Sequence, residues 1–149
     1  MIKILFICHG NICRSTMAEY VMKHLVQEAG LEGEFYIDSA ATSTEEIGNG
    51  VHYGTRRTLE QKGIFCGDHR ARQLKRADYD SFDLLIGMDS ANLRNMGRIC
   101  GGDSEGKLHL LLDYTGQRRD IADPWYTGNF FVTFEDVMAG CKALLQTLI

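Results

Sequence analysis

The chain has 149 residues, of which 16 are basic and 20 acidic, for a net charge of −4. That length fits a single domain spanning residues 1–149, and 44% hydrophobic with 24% charged residues is the composition of a globular rather than a disordered chain. The acidic balance excludes a broad electrostatic grip on nucleic acid or anionic lipid, but leaves room for one local anion site. In chain order, Ile2 to Ile7 is an apolar run rich in β-branched residues, the pattern of a central parallel strand covered on both sides. A glycine-bearing loop, Cys8 to Ser15, follows. From Thr16 to Ala29 the apolar spacing becomes helical, with Met17, Val21, Leu25 and Ala29 on one stripe. Thr16 and Glu19 read as a capping box and Gly30 as the stop.

Phe35 to Ile37 predicts a second strand, leading into a polar loop over residues 41–50. A helix is expected from about His52 to Lys62, closed by Gly63. Leu84 to Met88 is a third buried strand between Asp83 and Asp89, then come a helix from about Ser90 to Arg98 and a Gly101-Gly102 turn. Leu108 to Leu112 is a fourth strand, and Phe131 to Leu148 a final amphipathic helix. This alternation predicts an α/β fold, a single open sheet of about four parallel strands with helices on both faces. Ligands in such sheets bind beyond the carboxyl ends of the strands, where the loop after strand 1 lies.

Five widely spaced cysteines are not a secreted disulfide framework, and the N-terminus lacks the basic leader and long apolar core of a signal peptide. No run of 18 apolar residues suggests a membrane span. A soluble, reduced, cytoplasmic monomer is therefore expected, acting on neither nucleic acid nor membrane.

The loop reads Cys8-His9-Gly10-Asn11-Ile12-Cys13-Arg14-Ser15. A cysteine, five residues and an arginine form a weak pattern alone, but here the cysteine ends a strand and the serine opens a helix, as in a phosphate-binding loop. Backbone N–H groups of residues 9–15 would curl into an anion nest reinforced by the helix dipole. Gly10 and Asn11 are suited to the positive φ such a curl needs. Arg14 offers a planar fork for two phosphate oxygens. The same nest would favour Cys8 as a thiolate, and Ser15 could donate a hydrogen bond to its sulfur. Together these imply nucleophilic attack on phosphorus through a cysteinyl-phosphate intermediate.

That chemistry needs an acid for the leaving oxygen and a base for water. The lone proline, Pro124, follows Asp123 and holds it in a stiffened, extended segment, while Trp125 and Tyr126 could wall a cleft for an aromatic substrate. Asp83, Asp89, Asp113 and Asp120 are rivals for the acid. Asp83 and Asp89 flank a strand and read as turn caps, and Asp120 is the closest runner-up. No CxxC or Cys/His cluster suggests a metal, and no cofactor is expected. Cys66, Cys100 and Cys141 read as structural, and His9, His24, His52 and His109 as surface or loop residues.

These residues resemble the low-molecular-weight protein tyrosine phosphatase family over most of the chain. Cys8 to Ser15 matches its phosphate loop, Asp123-Pro124-Trp125-Tyr126 its acid loop, and His69-Arg70-Ala71-Arg72-Gln73 its middle segment. The resemblance implies hydrolysis of phosphotyrosine proteins or peptides and of small aryl phosphates, releasing inorganic phosphate. Cys8 would be the nucleophile, Arg14 the phosphate ligand, Asp123 the general acid and base, and His69 the brace of Asn11. It also raises the reading of Cys13 as a redox partner of Cys8.

Two features depart from or subdivide the family pattern. The loop after the second strand normally carries an aromatic wall, but here it reads Thr44-Glu45-Glu46-Ile47, giving an acidic rim at Glu45 and Glu46 beside Ile47. Relatives acting on phosphoarginine have threonine where Ile12 stands, so Ile12 favours an aromatic phosphoester. The alternatives are a phosphoarginine phosphatase, an arsenate reductase of the same fold, or a catalytically silent anion-binding module. Met88 to Ile99 lacks the cysteine pair that a reductase relay would use.

Overall fold

In the computed structural model, which describes residues 1–149, the chain runs through β1 (Ile2–Cys8), α1 (Arg14–Glu28), β2 (Phe35–Ala41), α2 (Tyr53–Gln61) and α3 (Arg76–Ser81). It continues through β3 (Leu84–Gly87), α4 (Ser90–Cys100), β4 (Leu108–Leu110), α5 (Pro124–Thr127) and α6 (Phe130–Leu148). All four strands are parallel in the order β2-β1-β3-β4, the open α/β sheet the alternation predicts. β1 is central, and its alternating side chains build two cores. Ile4, Phe6 and Cys8 pack with α1 and α6, while Leu5 and Ile7 pack with Tyr79, Phe82 and Met96 on the other face. The chain leaves β1 toward β2 and returns to its other side as β3, so a crevice opens at the carboxyl ends of β1 and β3. No helix is long and apolar enough to cross a membrane.

Several boundaries differ from the sequence expectation, each for a tertiary reason. Helix α1 begins at Arg14 rather than Thr16, and its capping box does not form. The Thr16 hydroxyl instead donates to the Cys13 carbonyl at 3.0 Å, and Glu19 turns into the core to accept from Ser39 and Lys23. β2 runs four residues beyond Ile37 because β1 pairs with it as far as Cys8 opposite Ala41. Helix α3 has no apolar stripe to announce it and is begun by the Asp78 carboxylate accepting from the Lys75 N–H at 2.8 Å. β4 stops at Leu110. Leu111 and Leu112 turn into a 3₁₀ segment, Leu111–Thr115, that packs on α6. Gly140 permits this approach, since a Cβ there would lie 2.5 Å from Leu111 Cγ. The Asp-Pro segment is extended at Asp123 as expected (φ −81°, ψ 113°), but Pro124–Thr127 closes into one helical turn.

Candidate active site

Beyond His9 and Gly10, the loop after β1 is buried, polar side chains included. Asn11 and Ser15 are fully covered, Arg14 is 2% exposed and Cys8 3%. Asn11 takes the left-handed conformation (φ 59°), which asparagine tolerates better than other side chains, whereas Gly10 does not share it. A Cβ at position 10 would make only ordinary contact with Glu46 Cγ, at 3.4 Å. The left-handed turn aims the Asn11 N–H at Cys8 Sγ, 3.3 Å away. Ser15 Oγ lies 3.1 Å from the same sulfur and accepts from Asn11 Nδ2 at 2.7 Å, so the serine proton is free to point at sulfur.

Asn11 is held from behind. Its Oδ1 accepts from the Arg72 N–H at 3.3 Å and from His69 Nε2 at 2.7 Å. The other nitrogen, Nδ1, faces Glu19 and Asp38, each at 3.4 Å. The tertiary structure thus gathers a Glu19, Asp38 and His69 donor cluster that no sequence spacing reveals. All three side chains are already engaged in hydrogen bonds or ion pairs, with Lys23 on Glu19 and Arg72 on Asp38.

Arg14 is fastened on its far side. One terminal nitrogen donates to Asp89 at 2.7 Å and to the Ile121 carbonyl at 2.9 Å, and the other lies 3.5 Å from Asp123. Burial opposes its charge, but Cys8, Asp89 and Asp123 outweigh that and hold its proton more tightly than usual. From the sequence, Asp89 reads as a turn cap beside a strand. It does cap α4, accepting from the Asn92 N–H at 2.7 Å, and its second oxygen orients Arg14. Its position at the end of β3 is the signal that could have marked it. Asp120 faces elsewhere and accepts from Ser90. Asp83 accepts from the Lys3 N–H, and Asp113 lines a separate cavity beside Asp120.

Above Cys8 opens a cleft of about 100 Å³. His9, Gly10, Ile12, Cys13 and Arg14 form its floor with Cys8, Glu45 and Glu46 one wall, and Asp123, Trp125 and Tyr126 the other. Asp123 Oδ1 accepts from the Trp125 N–H at 3.0 Å, and Glu45 sits 2.9 Å from His9 Nε2. Ile47 is half exposed and does not line the cleft, a correction to its expected place on the rim. The loop turns after Glu46, whose carboxylate accepts from Asn49. Cys13 borders the cleft, and burial, followed by the neighbouring Cys8 and Asp123, pushes its thiol well up. His52, read from sequence as a surface residue, packs among aromatic rings at the base of the Trp125 wall.

A buried cysteine ringed by donors, backed by an arginine and faced by a carboxylate, defines a thiol-based phosphate-handling site. A family model described as low molecular weight phosphotyrosine protein phosphatase matches residues 3–149. The low molecular weight protein-tyrosine-phosphatase YfkJ of Bacillus subtilis is 39% identical, the match covering 99% of this chain and 96% of the relative. Its crystal structure superposes with a TM-score of 0.96, over 99% of this chain and 94% of that one. The low molecular weight phosphotyrosine protein phosphatase of Gallus gallus is 40% identical over 96% of this chain and 93% of its own length. A crystal structure of Drosophila arginine phosphatase is similar at 28% identity and a TM-score of 0.89, covering 99% of this chain and 98% of that one. The chain belongs to the low molecular weight phosphotyrosine protein phosphatase family.

Proposed function

We propose that the protein hydrolyses phosphotyrosine in proteins or peptides, and small aryl phosphates, through a covalent intermediate on Cys8. The observation that carries this reading is Cys8 Sγ at the floor of the cleft, with the Asn11 N–H and Ser15 hydroxyl directed at it. The loop N–H groups of His9 to Ser15 and the Arg14 guanidinium hold the phosphoryl oxygens. Cys8 sulfur attacks phosphorus as the P–O bond to the phenol breaks, and Asp123 gives that oxygen its proton. Water, giving its proton back to Asp123, then attacks the cysteinyl phosphate. The S–P bond breaks, thiolate leaves, and inorganic phosphate is released. Arg14 counters charge on the oxygens in both steps. His69 keeps Asn11, and with it the loop, in place.

Ile12 presents only an apolar face to the cleft, which supports an aryl substrate over a guanidinium. The test is phosphate release from a phosphotyrosine peptide and from phosphoarginine in parallel, without added metal, with Cys8→Ser as control. Loss in Cys8→Ser with preference for phosphotyrosine is the expected result. Preference for phosphoarginine would keep the mechanism and overturn the substrate, and release from neither would refute the proposal. Arsenate reduction is disfavoured because Cys100 packs in the opposite core and Cys66 lies outside the cleft.

Cys13 serves a protective role in this reading. Peroxide converts the Cys8 thiolate to a sulfenic acid, and Cys13 sulfur displaces water to close a disulfide that thiols reopen. Burial pushes the Cys13 thiol up, which disfavours the thiolate that closure requires. Equal recovery of Cys13→Ser from peroxide would dismiss this role. The enzyme is proposed to act as a monomer in the reducing cytoplasm, where both thiols stay free.

A further inference from the structure

We infer that His52 is a positioning residue for the acid loop, an inference that rests on the proposed role of Asp123. His52 joins three parts of the site. Its backbone N–H donates to the Ile12 carbonyl at 2.9 Å, which fixes it to the phosphate loop. Its Nδ1 accepts from the Gly54 N–H at 3.0 Å and caps α2, so the ring is held by a hydrogen bond as well as by packing. The ring then lies between aromatic neighbours. It stacks on Phe130 with centroids 5.1 Å apart, and meets Trp125 edge-on at 5.6 Å with the planes at 79°. These are the offset-stacked and T-shaped arrangements that aromatic quadrupoles favour.

Phe130 is itself locked. A Cβ on Gly54 would lie 2.5 Å from its ring, so glycine is what admits it, and it packs both against Ile12, Cys13 and Ala71 and against the main core. His52 is therefore a rigid strut with Trp125 leaning on it. Trp125 is 56% exposed, and its backbone N–H donates to the Asp123 carboxylate at 3.0 Å. The line of contact runs from phosphate loop to His52 ring, from the ring to Trp125, and from the Trp125 N–H to Asp123. Without the ring, Trp125 samples other positions and Asp123 loses its aim at the leaving oxygen.

The two functions of His52 separate by mutation. His52→Asn keeps a capping oxygen without the ring, and His52→Phe keeps a ring without the cap. Trp125 is the only tryptophan, so its emission reports on the strut directly. Acrylamide quenching and the ratio of kcat/KM for a phosphotyrosine peptide to that for para-nitrophenyl phosphate are measured for each variant. The nitrophenolate leaves with little help from an acid, so the ratio isolates Asp123. His52→Asn is expected to increase quenching and lower the ratio about three- to tenfold, the scale of one or two aromatic pairs, with His52→Phe restoring both. Wild-type quenching and ratio in His52→Asn, or equal damage in His52→Phe, would overturn the inference. If the wild type releases phosphate from neither substrate, the function proposed above fails, and quenching alone still decides whether His52 holds Trp125.

Discussion

Replacing Ser15 with alanine removes one proton donor from the Cys8 sulfur, and the structure says where the loss should fall. Ser15 Oγ is fully buried, 3.1 Å from sulfur, and its acceptor capacity is taken by Asn11 Nδ2 at 2.7 Å. A hydrogen bond to a charged acceptor contributes about 1.5–3 kcal/mol, which corresponds to roughly 10- to 150-fold in rate. The bond matters most when sulfur carries full negative charge, and that occurs as thiolate leaves the cysteinyl phosphate. Hydrolysis of the intermediate should therefore slow more than its formation. Stopped-flow mixing with para-nitrophenyl phosphate should show a burst of one nitrophenolate per enzyme, then a steady rate depressed by that factor. The alanine also strands Asn11 Nδ2 in the core, costing about 1–3 kcal/mol of stability. In a chain of this length that lowers Tm by roughly 2–12 °C, so the assay belongs well below the new transition. A steady rate within threefold of wild type, or a slowed burst with no accumulation, would refute the assigned direction of the serine proton.

Asp123→Asn should slow phosphotyrosine peptides about 100-fold or more while sparing activated aryl phosphates, as expected for loss of a general acid; equal losses on both would remove Asp123 from that role. Glu45→Lys combined with Glu46→Lys should reverse the preference between peptides with basic and acidic neighbours of the phosphotyrosine, because both carboxylates line the cleft. An unchanged ratio of kcat/KM values would show that the rim does not read charge. Gly140→Ala should destabilise by about 1–3 kcal/mol through collision with Leu111, read as a lower urea midpoint, and an unchanged midpoint would mean that α6 yields freely. Cys13, with its thiol pushed up chiefly by burial, is expected to stay protonated and unlabelled by iodoacetamide at pH 7.5 in folded Cys8→Ser protein. Stoichiometric labelling of Cys13, seen by mass spectrometry, would contradict that.

The central strand, the helix periods and the phosphate loop were legible because each is local. An apolar run with two covered faces needs no partner to be recognised, and neither does a cysteine at a strand end followed by arginine and serine. Asp123 was legible as the candidate acid for the same reason, with proline next to it. Asp89 and His52 were not, since nothing in their neighbouring residues records what they touch. Asp89 meets Arg14 across 75 positions of sequence because β1 and β3 lie side by side, and His52 reaches Trp125 across a similar interval. Glu19 shows the opposite error. Its spacing from Thr16 spelled a cap, but a buried hydrogen-bond network with Ser39 and His69 outcompeted a local bond that water could replace. The sequence alone determined the sheet and marked the candidate nucleophile, phosphate ligand and acid, each through its own immediate neighbours in the chain. Only the tertiary structure decided what aims them, because hydrogen-bond partners and aromatic supports are chosen by the packing of distant segments.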